Sequence, residues 1–289
     1  MPRELSKYLV PDGLWELTEP LLPVFTPRRQ GGGRAPVDQR AVFHRQGGGR
    51  APVDRRAVFT AVVYVLISGC AWRMLPPSFG VSVATAHHRL TVWTQAGVWR
   101  RLHRAVLDEL GNQGLIDWSR AVIDAASVRA KKGDLTGPNP VDRGKSGSKL
   151  NVLSDRAGVP VAVGVSAANT NDAEALKPLV KAIPPARSRR GPRRRRPAKL
   201  HADKAYDHAE LRRWVRDRGI AVRIARKGVE SSQRLGAHRW VIERTISWLT
   251  GYHRLNLRFE RKGIHFCAFL TLAVALTCYK KLAKAKSTT

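Results

Sequence analysis

Acidic residues are scarce in this chain. Asp and Glu total 22 against 52 Lys and Arg in 289 residues, a formal net charge of +30. An imbalance of that size implies a polyanionic partner, and nucleic acid is the usual one; an anionic membrane surface or an acidic protein meets the charge criterion equally. Cysteine is nearly absent too. Cys70, Cys267 and Cys278 form no C-x-x-C pair, which excludes a zinc finger and a disulfide framework and fits reduced thiols in a cytoplasmic protein. The first residues, MPRELSKYLVPDG, lack an apolar signal region. No run of apolar residues reaches the roughly 20 needed to span a bilayer. The strongest candidate, IHFCAFLTLAVALTCY at 264–279, has 16 and reads as a buried helix closing the core. What is present in ordinary amount is hydrophobic content, 43%, enough for a core in one large domain or a small domain plus a medium one.

The pattern divides the chain. Up to about residue 112 it is helical. Leu14, Trp15 and Leu17 begin a short amphipathic turn that stops at the prolines after Thr18. A stronger helix starts at Asp54, an N-cap residue type, carries Val58, Phe59, Val62, Val63, Leu66 and Ile67 at spacings of three and four, and stops at Gly69. Another follows Ser82, with Leu90 and Trp93 inward, and a further segment with Trp99 and Leu102 follows Gly97. This predicts a small all-α domain over 1–112, of helix-turn-helix-like type although its CAWRMLPPSFG connection is longer than a standard turn. RQGGGRAPVDQRAVF at 29–43 recurs as RQGGGRAPVDRRAVF at 45–59, differing only at Gln39 and Arg55. Two copies do not make a solenoid. Near identity indicates a recent local duplication whose first copy is an exposed excursion.

From about 118 to 289 the pattern is that of an α/β domain with a mixed sheet. AVIDAASV (121–128), KLNVLSD (149–155) and VPVAVGVSA (159–167) read as strands, the last two joined as a hairpin by DRAG. A helix from Ala173 to Ala182, a strand ending at Asp203, a helix from His208 to Asp217, a strand at 220–225 and a helix from about Ala237 to Thr250 follow.

Three carboxylates stand out. Asp124 interrupts an apolar strand, where a charge needs a compensating partner such as a metal ion. Asp203 ends a strand, where open α/β sheets place ligand sites. Glu243 shares a polar helix stripe with Arg239, Ser247 and Thr250, about 100° from the apolar face of Ile242, Ile246 and Leu249. Taken singly, each has a plainer reading, a structural hydrogen-bonder on a strand or a solvated helix residue. As a set they suit hard divalent cations, which take oxygen ligands and bind substrate phosphates.

The order, with 79 positions from Asp124 to Asp203 and 40 from there to Glu243, matches first strand, fourth strand and late helix of RNase H-like DDE nucleotidyl transferases. The motifs add detail. WELTEPLLP, GGGRAPVDRRAVFTAVVYVLISGCAWRMLP and TVWTQAGVWRRL resemble the N-terminal region of IS5-type (IS4/IS5 superfamily) insertion-sequence transposases. IDAASVRA, GKSGSKLNVLSDRAGVPVAV, ANTNDAEAL, LHADKAYD and RWVIERTISWLTGYHRL resemble their catalytic domain. The resemblance implies an RNase H-like catalytic domain closed by the C-terminal helix. It also implies a triad of Asp124, Asp203 and Glu243 holding two Mg²⁺ or Mn²⁺ ions. The expected partners are double-stranded DNA, as terminal inverted repeats and target, and a second copy of the chain, with a cytoplasmic, nucleoid-associated location in a bacterium. Arg239 matches the Arg of the family's Y-x2-R-x3-E-x6-K signature, a DNA contact, while Gly236 and Thr250 stand where that signature has Tyr and Lys.

Basic residues outside that signature are further DNA candidates. RGKSGSK (143–149) is not a phosphate loop, since Asn139 stands at the first Walker glycine; it reads as a basic loop with Lys145 and Lys149 as phosphate contacts. Arg193, Arg194, Arg195 and Arg196 read either as a DNA-backbone contact or as a solvated linker. His201 and His208 flank Asp203 without a third ligand at zinc spacing. Two alternatives stay open beside the transposase: a metal-dependent nuclease on the same fold, and a non-catalytic DNA-binding relic.

Overall fold

The computed structural model describes residues 7–23, 53–226, 228 and 232–287, with backbone alone for 232–238. The first duplicated copy and the start of the second fall outside the described residues.

Helix α1 (Asp12–Thr18) is followed by α2 (Arg55–Ser68), which has the expected ends. Asp54 accepts the Arg56 amide, and Gly69 closes the helix at φ +68°. The CAWRMLPPSFG connection folds as two 3-10 turns, Trp72–Met74 and Pro77–Phe79, before α3 (Val83–Gln95), where Ser82 accepts the Thr85 amide. Helix α4 (Val98–Asn112) follows a Gly97 with φ +70°. Phe59, Trp93 and Trp99 meet pairwise, with ring centroids 6.0–6.3 Å apart, and tie α2, α3 and α4 together.

The sheet has β1 (Ala121–Ala130) at its centre. Strand β3 (Ser146–Asp155) runs antiparallel to β1, and β4 (Pro160–Ala167) antiparallel to β3. On the other side β5 (Lys199–Ala202) is parallel to β1, and β6 (Ala221–Ile224) parallel to β5. The spatial order β4-β3-β1-β5-β6, an antiparallel meander continued by two parallel strands, is the RNase H-like mixed sheet. Helices α5 (Asp172–Ala182) and α6 (Ala209–Arg216) make the crossovers. Two short strands went unanticipated: β2 (Gly137–Pro138) on β3, and β7 (Leu257–Arg258), parallel to the end of β1.

Helix α7 (Ser232–Thr250) lies on β1 and β3, and α8 (Gly263–Ser287) runs along α4 and β4, so the helical region and the sheet share one core. The closing helix is longer than expected, 25 residues. Its apolar window alone is long enough to cross a membrane, yet Phe266, Phe269, Leu270, Leu272, Val274 and Leu276 are buried inside the protein. Beyond the apolar run, KKLAKAKS continues the helix on intrinsic propensity.

Between α7 and α8 two guanidiniums are buried. Arg258, fully enclosed, donates to the carbonyls of Glu260, Leu135 and Arg261, the Ser148 hydroxyl and the Asp134 carboxylate. Arg254 pairs with Glu260 at 2.7 Å and donates to the Cys70 carbonyl, locking α2 to this corner.

Candidate active site

Asp124 sits opposite Val152 on the central strand. Its neighbour on the parallel side is fixed by register: Ala121 faces Leu200 and Val122 faces His201, an offset of 79. The separation of Asp124 from Asp203 is the same 79, so continuing the register sets the two carboxylates side by side where β5 ends. There the Asp203 Oδ1 accepts the Ala205 amide at 2.8 Å and caps the turn Lys204–Tyr206.

Helix α7 brings the third carboxylate. Val241, Ile242, Thr245 and Leu249 face the sheet, and the Thr245 hydroxyl donates to the Gly158 carbonyl at the β3–β4 turn. Arg244 donates to the Ala157 carbonyl from the same side. These contacts fix the helix's rotation and leave Glu243 exposed beside the sheet. Arg239, one turn earlier, places its Nε 3.1 Å from Glu243 Oε1 and 3.8 Å from Asp124 Oδ2, joining the two carboxylates through one positive charge.

Burial pushes the Asp124 carboxyl above the usual carboxylate range. The Ala125 amide and Arg239 oppose that shift, while the like charges of Asp203 and Asp172 add to it. Asp172 was not anticipated as a site residue. It opens α5, and its Oδ1 takes a 2.7 Å ion pair from Lys149 Nζ, which also donates to the Thr170 carbonyl. Tyr206 was also passed over. Its ring is 1% exposed, and its hydroxyl has no hydrogen-bond partner. Burial, then the charges of Asp172, Asp124 and Asp203, push that phenol upward. Both residues lie inside the motifs ANTNDAEAL and LHADKAYD, but an acid in a helix's first turn and an aromatic beside a strand have commonplace readings.

Among the described residues no three His, Cys, Asp or Glu side chains close on one point as a finished metal cluster. The carboxylates form an open set, which fits a hard cation that keeps several waters and also binds substrate. Two observations agree with a cation here. A guanidinium already lies against Asp124 and Glu243, and the buried Tyr206 hydroxyl, without a partner, feels the charges of Asp172, Asp124 and Asp203. Asp124, Asp203 and Glu243 are the residues that would hold it.

The other basic residues are variously engaged. Lys145 is exposed on the turn before β3, whereas Lys149 is held by Asp172. Arg193 pairs with Asp108 at 2.6 Å, and Arg194 pairs by its backbone with Ala186. Arg195 donates to the Lys181 carbonyl, and the Arg196 guanidinium reaches the Arg218 carbonyl at 3.5 Å. The four-arginine run is thus folded against the body while its side chains stay on the surface. His201 is buried in β5, and His208 precedes α6.

Comparison with known proteins places the chain in a family. Residues 118–278 match the family described as "Transposase DDE domain", and residues 43–103 match "Putative transposase of IS4/5 family". A "Putative transposase for insertion sequence element IS402" of Burkholderia cepacia is 45% identical over 150 residues, covering 52% of this chain and 71% of that protein. An "Insertion element IS402 uncharacterized 16.2 kDa protein" of the same organism is 40% identical over 128 residues, 44% of this chain and 76% of that one. Among solved structures, the Mos1 transposase paired-end complex aligns over 83% of this chain and 82% of its own, at 12% identity and a TM-score of 0.26. The fold assignment rests instead on the strand order and register above. On the match across its sheet and closing helix, the chain belongs to the DDE-domain transposases, of the IS4/IS5 insertion-sequence type.

Proposed function

We propose that this transposase cuts at the ends of its insertion sequence and joins the freed ends to target DNA, with Asp124, Asp203 and Glu243 as the metal-holding triad. The observation that supports the triad best is the β1–β5 register, because its offset of 79, continued by two positions, makes Asp124 and Asp203 neighbours across the parallel seam. Two Mg²⁺ or Mn²⁺ ions bound there would supply charge stabilisation at the attacking and leaving oxygens.

In the first step water attacks the phosphorus at the element end. The new P–O bond leaves a 5′ phosphate, the bond from phosphorus to the 3′ oxygen breaks, and the departing 3′ oxygen takes up a proton in place of the one the attacking water gives up. In the second, that 3′-OH attacks a phosphodiester of the target, so each bond made replaces one broken. Asp124 and Asp203, on adjacent strands, give the site its rigidity. Glu243 completes it from α7, and Arg239 exchanges its two carboxylates for a DNA phosphate once they are otherwise engaged. Lys145 and Arg193 to Arg196 contact the DNA backbone, a role that makes binding steeply salt-dependent. Lys149, whose ammonium already serves Asp172 and the Thr170 carbonyl, has one donor left for a DNA phosphate. Two ends held together imply a homodimer on double-stranded DNA. The location that follows for a bacterial enzyme is the cytoplasm, at the nucleoid.

The test is cleavage of a labelled duplex carrying the element's terminal inverted repeat, in Mg²⁺, beside Glu243→Gln. Cutting and joining by the parent alone supports the proposal. Cutting without joining identifies a nuclease, and end binding without cutting identifies a DNA-binding relic.

A further inference from the structure

Asp172 and Tyr206 stand beside the triad without belonging to it. The plain reading of Asp172 is a helix N-terminal acid, but Asn171 does the capping, accepting the Ala173 amide at 3.0 Å. Asp172 is turned instead toward β3, where Lys149, only 15% exposed, holds it. Tyr206 presents the complementary oddity: α5 packs on the turn that carries it, and its enclosed hydroxyl is a donor with nothing to donate to. Buried polar groups are nearly always satisfied, and one left over in a native fold calls for an explanation such as a missing ion or a catalytic role. Asp203 caps the turn that carries Tyr206, so this unpartnered donor belongs to the same turn that one triad carboxylate holds.

We propose that Asp172 and Tyr206 are positioning residues of the metal site: Asp172 is a fourth carboxylate that would accept from water on the bound cation, and the Tyr206 hydroxyl would donate its one hydrogen bond to a triad carboxylate. The inference rests on the triad reading above. Lys149 suits Asp172 to this outer place, since a carboxylate already engaged with an ammonium is a poorer direct ligand but still a good acceptor. Groups of this kind orient direct ligands, and their loss commonly weakens metal affinity by about 10- to 100-fold. Tyr206→Phe removes one atom and no packing, so a purely structural Tyr206 predicts unchanged metal binding.

The experiment is a Mn²⁺ titration of the full chain, followed by the loss of the free-ion electron paramagnetic resonance signal, for the parent, Asp172→Asn, Tyr206→Phe and Asp203→Asn. The expected result is a weakening of about tenfold or more for Asp172→Asn and several-fold for Tyr206→Phe. Tyr206→Phe should keep or raise the metal-free unfolding midpoint, because its hydroxyl has no hydrogen bond to lose, whereas Asp172→Asn should lower it through the lost ion pair with Lys149. If Asp203→Asn loses Mn²⁺ while both other variants bind as the parent does, the proposal falls and the triad stands. If Asp203→Asn also binds normally, the triad reading falls and takes this one with it. Should Asp172→Asn fail to fold, the near-isosteric Tyr206→Phe decides alone.

Discussion

Two regions of this molecule bury charge, and they do so in opposite ways. In the corner between α7 and α8, Arg258 and Arg254 are enclosed but supplied with acceptors: three carbonyls, a hydroxyl and Asp134 for the first, and Glu260 with a carbonyl for the second. At the β1–β5 seam, Asp124, Asp203 and Asp172 press like charges toward one another and toward the unpartnered Tyr206, with Lys149 and Arg239 as the positive neighbours. The first arrangement holds the fold together at the residue where β7 meets β1. In the second, burial and like charges push the Asp124 carboxyl above its usual range, and a cation there would oppose that shift. Opposite charges pair in the corner, although Glu260 Oε2 is left without a partner, whereas like charges meet at the seam.

The largest expected effect breaks the satisfied region. Arg258→Met removes five hydrogen bonds from the enclosed corner and should cost about 3–5 kcal/mol, read as a lower midpoint in urea denaturation. A loss under 1 kcal/mol would mean that the enclosed guanidinium contributes little.

Asp155 gives an intermediate case. It accepts the amides of Asp117 and Val159, yet burial outweighs them and raises its carboxyl to about 6. Its folded pKa exceeds the unfolded one, so the native state binds the proton more tightly. This contribution to stability is complete below the ordinary carboxylate range near 4 and fades as pH rises to about 6. Its size is on the order of 2–3 kcal/mol. Urea midpoints from pH 4 to 7 for the parent and Asp155→Asn should show the pH-dependent part shrinking in the variant; parallel curves would contradict the burial argument.

The smallest effect has the opposite sign from the first. Asp124→Asn should stabilise the metal-free protein by about 1 kcal/mol, because it removes a buried like charge while keeping the shape. A thermal melt that falls instead would show that Arg239 already compensates Asp124 fully.

Much of this was legible in the sequence, for identifiable reasons. Asp54, Gly69 and Ser82 are capping residue types whose chemistry is local, so the helix ends fall where expected. The 79-residue interval is legible because it is a register offset between two parallel strands. Other features depend on packing between distant segments. A two-residue strand such as β7 has no periodicity, and it pairs only because Arg258 is anchored beside β1. Lys149 reads as a phosphate contact in a basic loop, yet its partner Asp172 lies 23 positions away across the β3–α5 gap. The Tyr206 hydroxyl is informative only through the partner it lacks, which no sequence pattern records.

The most direct test of the contrast is the melting temperature of the parent and of Asp124→Asn, each with and without Mn²⁺. The account predicts that without metal the variant melts higher, and that saturating Mn²⁺ raises the parent alone, by the mass-action term RT ln(1 + [Mn²⁺]/Kd). An equal rise in both proteins would contradict it, placing the cation somewhere other than the β1–β5 seam.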